Sequence, residues 1–357
     1  MPRAAELGIR IGTLPSGPTG SIVDVAGVGV GHATVWRDEP DPPHGRGVAR
    51  TGVTVVDLGG NGFREPLPAG GAVLNGAGEC TGFLAAQEWG LVETPLFLTS
   101  TMQLGRVYDA ACELLIAEEP GIGDEDVVIP MVAECDDSFL NDSRRMQVNR
   151  DDVAAALAEA RRGGRPGEGA VGSGTGMSCL GFKGGIGTAS RVTGAGHTVG
   201  VLVMTNFGEQ SRLTVDRVPV GRLLPEPPAT TPVPPPAGSC IVVVATDAPV
   251  DPAGCQRLAR RAGLGLARTG SVATHGSGEI FFAFATGLRV SRGEVPTVPA
   301  VQGRDLNPLF AGVVEATEEA VLNSLLQAGT VVGRSGNVSY GLPADDVVRL
   351  LRAHGRL

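Results

Sequence analysis

Apolar residues arrive along this chain in two rhythms. Short, dense runs of β-branched and aromatic residues alternate with longer stretches in which apolar positions recur every three or four residues. SIVDVAGVGVG (21–31), GVTVVDL (52–58), TPLFLTST (94–101), VVIPMVAE (127–134) and VGVLVMTN (199–206) read as strands. Between them TGFLAAQEWG (81–90), VYDAACELLIAEE (107–119) and RDDVAAALAEARR (150–162) read as helices. The last carries acids in its first turn, where the helix dipole favours them. Over 217–238 proline dominates and no period survives, which predicts an exposed loop. The pattern then resumes at once. CIVVVATD (240–247) is almost continuously apolar, as expected of a strand covered on both faces. A helix over 251–269, the strand EIFFAFATG (279–287), a long helix over 306–328 and a short one over 343–353 complete the chain. There is no repeat and no coiled coil. Strands and helices mix throughout 1–357, which predicts a single layered α/β sandwich.

Composition narrows the function. A hydrophobic content of 42% supports a large core, and 54 glycines with 26 prolines, spread without period, indicate a loop-rich globular enzyme. The net charge of -9 argues against nucleic acid and anionic membranes as partners, since both need clustered basic residues. No apolar run has the length of a bilayer span, and MPRAAELGIRIGTLPSG lacks a secretory apolar core. A soluble, cytoplasmic protein is expected. Cys80, Cys112, Cys135, Cys179, Cys240 and Cys255 form no CxxC pair and sit mostly in apolar contexts, as reduced core residues do. His32, His44, His197, His275 and His354 show no metal-type spacing, so neither a metal nor an organic cofactor is expected. A serine–histidine triad would have to use His197 or His275, and no G-x-S-x-G elbow holds a serine for it.

GAVGSGTGMSCLGFKGGIGTASR (169–191) invites a phosphate-loop reading, but Lys183 lies between Phe182 and Gly184, which breaks the Walker spacing. A tight glycine loop fits better. Lys183, the only lysine, is then either a salt-bridged structural group or a cation near an anionic intermediate.

The proline-rich strip runs into the 240–247 strand with only Ala237-Gly238-Ser239 as a hinge. An N-terminal serine is a complete nucleophile, because its own α-amine takes the hydroxyl proton and no histidine is needed. Cleavage between Gly238 and Ser239 would create it. Ser239 Oγ attacks the Gly238 carbonyl, the peptide becomes an ester, and water hydrolyses the ester. Glycine on the acyl side suits a strained backbone. The plainer reading of Gly238-Ser239 is an ordinary turn.

Several blocks favour the cleavage reading. "GSIVDVAGVGVGHAT" (20–34), "RTGVTVVDLGGNGFREPLPAG" (50–70), "GSGTGMSCLGFKGGIGTASR" (172–191), "VLVMTNFGE" (201–209), "GSCIVVVATDAP" (238–249) and "GSGEIFFAFAT" (276–286) occur in this order. Over nearly its whole length the chain resembles the DmpA/BapA family of self-processing serine aminopeptidases (L-aminopeptidase/D-esterase and β-peptidyl aminopeptidase). That resemblance implies a four-layer αββα sandwich, similar to N-terminal-nucleophile hydrolases but with its own topology. It also implies cleavage into 1–238 and 239–357 and a homo-oligomer of processed protomers. The expected substrates are peptides, amides or esters with a free amine. Ser239 matches the nucleophile. Ser277 and Glu279 match the pair that orients it and its new amine. Asn206 matches the oxyanion amide, and Glu134 the carboxylate for the substrate ammonium. Glu134 reads otherwise as a strand-end surface acid and Asn206 as a turn residue. One position departs. Family members offer a tyrosine hydroxyl near the glutamate as second oxyanion donor, but "AECDDSFLND" has none, Asp136 or Phe139 standing closest. Tyr108 and Tyr340 lie in other motifs, so either the second donor comes from elsewhere, a backbone N–H being one source, or turnover is weakened. The rival readings are an acyltransferase or amidase on the same fold, and an unprocessed, non-catalytic homologue.

Overall fold

The computed structural model describes residues 1–225 and 238–357. Its main strands are β1 (Gly29–Asp38), β2 (Val48–Asp57), β3 (Leu67–Gly76), β4 (Leu96–Ser100), β5 (Met131–Cys135), β6 (Gly185–Val192), β7 (Thr198–Asn206), β8 (Ser239–Thr246) and β9 (Gly278–Ala285). The main helices are α1 (Phe83–Trp89), α2 (Leu104–Glu118), α3 (Arg150–Arg162), α4 (Pro252–Thr269), α5 (Asn307–Leu326) and α6 (Ala344–Ala353).

Two sheets lie face to face. The smaller has the order β1-β2-β4-β5, antiparallel except for the parallel pair β4/β5. The larger has the order β3-β9-β8-β7-β6, with Leu91–Val92 as a short edge beyond β3. In it β8 and β9 are parallel and every other pairing is antiparallel. Three apolar cores separate four layers. One lies between α2/α3 and the small sheet, around Val53, Phe97, Val132 and Leu157. The second joins the sheets through Leu98, Met131, Met204, Val243 and Phe282. The third packs Val201, Val242 and Phe281 under α4 and α5. This is the expected αββα sandwich.

Alternation along β8 explains its sequence. Ile241, Val243 and Ala245 enter the inter-sheet core, while Cys240, Val242 and Val244 face the helices. Both sets are buried, so polar side chains are confined to the strand ends at Ser239 and Thr246, and each valine contributes about 1.5–3 kcal/mol of burial. The helices end where their caps are. Asn149 accepts from the N–H groups of Asp151 and Asp152 at the start of α3, and Asp251 accepts from Gly254 N–H at the start of α4.

The strand β3 over Leu67–Gly76 is not in the sequence pattern, and three further stretches differ from it. In 21–28 the expected strand is a 3-10 turn over Ile22–Asp24, and the strand proper begins at Gly29. Ser21 and Asp24 form a capping box there, and such local side-chain bonds compete with a strand ladder. The glycine-rich 169–191 contains a full strand, β6, and not only a loop. A Cβ at Gly187 would lie 1.9 Å from the Ala320 carbonyl oxygen, so glycine is what lets α5 sit directly on β6. Finally, the proline-rich segment starts with one helical turn, Val220–Leu223. Positions 226–237 of the expected loop lie outside the described residues.

Candidate active site

β8 begins at Ser239, and neighbours bracket that first residue on both sides. In the antiparallel register Ser239 faces Asn206, the last residue of β7, and in the parallel register it faces Gly278, the first residue of β9. The alternation of β8 turns the Ser239 side chain toward the inter-sheet space, where β5 ends in Glu134 and Cys135. The Cys135 thiol lies against the Ser239 hydroxyl, and burial holds that thiol well above its ordinary range, so it stays neutral.

The peptide ahead of Ser239 is also held. Gly278 N–H donates to the Gly238 carbonyl oxygen at 3.0 Å, which polarises the carbon that a Ser239 attack would reach. Gly238 has no left-handed φ. What requires glycine is space, because a Cβ would fall 1.7 Å from the Asn206 carbonyl oxygen. The sequence argument from backbone strain is therefore replaced by one from close approach.

Ser277 and Glu279 flank Gly278. The Ser277 hydroxyl donates to Glu279 Oε1, and both side chains are buried. Burial pushes the Glu279 carboxyl up, while the Ser277 hydroxyl and the nearby Asn75 amide pull it down. Asn75 donates to the backbone carbonyls of Ala273 and Thr274. Among the described residues Glu279 Oε2 has no hydrogen-bond partner, so one carboxylate oxygen is open to a cation.

Asn206 is clamped at both ends of its amide. Oδ1 accepts from Ser178 N–H at 3.0 Å, and Nδ2 donates to the Asp136 carbonyl at 2.7 Å. One Nδ2 hydrogen is left over. Asp136 thus enters through its backbone, although the sequence marked it only as standing where a tyrosine is missing.

Glu134 is buried, not a surface acid. Its Oε1 accepts from Glu79 N–H at 2.9 Å, and its Oε2 from the Thr101 hydroxyl. Burial raises its pKa, the two hydrogen bonds oppose this, and Asp136 and Glu79 add repulsion. Gly78 stands between it and the head of β9: a Cβ there would lie 3.1 Å from Glu134 Oε1 and 3.8 Å from Gly278 Cα. All five residues singled out in the sequence thus fall in one region. Cys135, Thr101 and Gly278 N–H were not legible beforehand. Only the position of Cys135 next to Glu134 could have drawn notice.

Other candidates lie elsewhere. His197 is at the far end of the large sheet, its Nδ1 3.7 Å from Asp247 Oδ1, and His275 is exposed. Neither carries a triad on Ser239. Lys183 makes no ion pair among the described residues and is held by backbone carbonyls, so the salt-bridged alternative fails. Among the described residues no group of three or more His, Cys, Asp or Glu side chains could hold a metal ion.

The model of peptidase family S58 matches residues 20–339. The chain belongs to peptidase family S58. The β-peptidyl aminopeptidase BapA of Sphingosinicella xenopeptidilytica is 40% identical, over 99% of this chain and 91% of that protein. Among solved structures, the PH0078 protein of Pyrococcus horikoshii OT3 aligns with a TM-score of 0.93 and 41% identity over 100% of both chains. The L-aminopeptidase D-Ala-esterase/amidase of Ochrobactrum anthropi aligns with a TM-score of 0.91 and 34% identity, again over 100% of both chains. It is described as a prototype of the serine aminopeptidases and a variant of the Ntn hydrolase fold. This S58 chain is accordingly a hydrolase of the aminopeptidase class. No helix among the described residues is long and apolar enough to cross a membrane.

Proposed function

We propose that the chain is a self-processing aminopeptidase whose nucleophile is Ser239 after cleavage of the Gly238–Ser239 bond into chains 1–238 and 239–357. The observation that carries this reading is the hydrogen bond from Gly278 N–H to the Gly238 carbonyl, at the head of the strand that Ser239 opens. In the first step Ser239 Oγ adds to Gly238 C, the C–N bond breaks, and the acyl group moves to oxygen. Water then releases the Gly238 carboxylate and leaves Ser239 with a free hydroxyl and a free amine. In turnover the α-amine takes the proton from Oγ, and Oγ attacks the substrate carbonyl. The oxyanion is met by the spare Nδ2 hydrogen of Asn206 and by Gly278 N–H, which cleavage releases from the Gly238 carbonyl. The proton passes to the leaving group, and water removes the acyl group. Glu279, steadied by Ser277, holds the Ser239 ammonium before it gives up its proton. Glu134 receives the substrate's own ammonium, which restricts the enzyme to free amino termini.

Substrates are peptides, amides or esters with a free amine, and the BapA relative's name extends this to β-peptides. Six free cysteines fit a reducing, cytoplasmic setting. Exposed Val73, Leu74, Leu84 and Trp89 on β3 and α1 fit an assembly of several protomers. The test is hydrolysis of a free-amine peptide and of its N-acetylated counterpart by purified protein, with Asn206→Ala beside it. The free peptide alone should be cut. Asn206→Ala should lose about 100- to 1,000-fold in kcat with KM little changed. An unchanged kcat in that variant would remove Asn206 from the site.

A further inference from the structure

The only lysine of the chain is fully buried. The Lys183 ammonium donates to the carbonyl oxygens of Gly174 at 3.0 Å, Met177 at 2.5 Å and Gly184 at 2.7 Å. Three hydrogens meet three acceptors, an arrangement that only the charged amine completes. Burial draws its pKa down to about 7, and Cys179 and Asp137 oppose that shift electrostatically. The titratable groups that face it are Cys179, from its own hairpin, and Asp137, from beyond the end of β5. A buried cation without a contacting carboxylate is costly to keep. The question is what it secures.

Lys183 is the cross-strand partner of Ser178 in a two-residue hairpin. The Met177 carbonyl and the Ser178 N–H are the two ends of one planar peptide. The ammonium holds the carbonyl end. The N–H end donates to Asn206 Oδ1 at 3.0 Å. Lysine, peptide and asparagine amide therefore form one continuous line of dipoles, in which each hydrogen bond polarises the next. We propose that Lys183 is a positioning residue that fixes the Asn206 amide through the Met177–Ser178 peptide and strengthens its spare Nδ2 hydrogen as an oxyanion donor. The inference rests on the reading of Asn206 as that donor. It also replaces the open question about Lys183 with a definite role: its charge serves the anionic intermediate at one remove.

The experiment is a double-mutant cycle on self-cleaved protein, with kcat and KM measured on one free-amine peptide. Lys183→Met should lower kcat about ten- to a hundredfold and leave KM within about twofold, because a mis-aimed donor is missed only in the transition state. Lys183→Gln keeps two N–H donors and should fall in between. Added to Asn206→Ala, Lys183→Met should cost little more, since the group it aims is gone. Equal fold losses in both backgrounds would overturn the link, because a general packing role adds independently. A rise in KM at constant kcat would overturn it too. So would two Lys183 variants that are both insoluble, which is how a purely structural lysine behaves. Were Asn206→Ala itself to leave kcat intact, the donor assignment would fall first and the lysine link with it. That result differs from additivity, which removes the link alone.

Discussion

Ser239→Ala is expected to run as one 357-residue chain on a denaturing gel, whereas the wild-type protein should separate into pieces of 238 and 119 residues. The smaller wild-type piece should begin Ser-Cys-Ile-Val. The effect is all-or-none because the variant lacks the side-chain oxygen that the head of β8 places beside the Gly238 carbonyl carbon. The rest of the cleavage geometry does not depend on that oxygen: in the unsubstituted chain Gly278 N–H holds the Gly238 carbonyl, and Ser277 bonds Glu279. Aminopeptidase activity should vanish with cleavage. Gly238→Ala supplies a second route to the same band, since its Cβ cannot coexist with the Asn206 carbonyl 1.7 Å away. Active wild-type protein that stays a single chain would sink the N-terminal-serine mechanism.

Glu134→Gln should separate processing from turnover. The Gly238 carbonyl carries no ammonium, so this variant should still cut itself. On free-amine substrates it should lose about 2–5 kcal/mol of binding, a drop of roughly 30-fold or more in kcat/KM. The pH dependence follows from the direction of the Glu134 shift. Burial raises its pKa above 4.5, and the carboxylate is the form that binds. The wild-type kcat/KM should therefore fall on acidification through a midpoint above the usual carboxylate range, and the variant should lack that limb. The stability sign is the reverse. A raised folded pKa means that this group's contribution is present below the unfolded pKa and is lost as pH rises through the folded one. At neutral pH the ionised side chain is a cost to the free protein, so the melting temperature of Glu134→Gln should equal or exceed that of wild type. Equal turnover of acetylated and free substrates by wild type would show that Glu134 does not read the ammonium.

The central strands were legible because burial on both faces leaves a continuous apolar record, as in Ile241 to Val244. α3 was legible from the acids in its first turn. β3 and β6 were not. Their glycines are there because helices pack directly on the sheet: a Cβ at Gly70 would meet Gln256 N of α4 at 2.6 Å, much as Gly187 meets α5. Sequence alone cannot separate such a glycine from one in a loop. At the site, side chains could be matched to motifs, but the Gly278 N–H, the Asp136 carbonyl and the Met177–Ser178 peptide could not. Backbone groups carry no residue identity, so their roles emerge only from register.

If the chain is cut at Gly238–Ser239, the order of the large sheet decides how the products can come apart. β8 and β9 follow the scissile bond, yet they lie in the middle of that sheet, flanked by β3 and β7 from the earlier part of the chain. The two products would thus be interleaved, sharing two ladders and two cores, and neither could leave without tearing the sheet. Once unfolded they are separate molecules that must find each other again. Refolding of Ser239→Ala should be first order, while refolding of the mature enzyme should slow and lose yield on dilution. Cleavage would in this way act as a ratchet: the enzyme is assembled once, as a precursor, and endures by slow unfolding and not by reversible equilibrium.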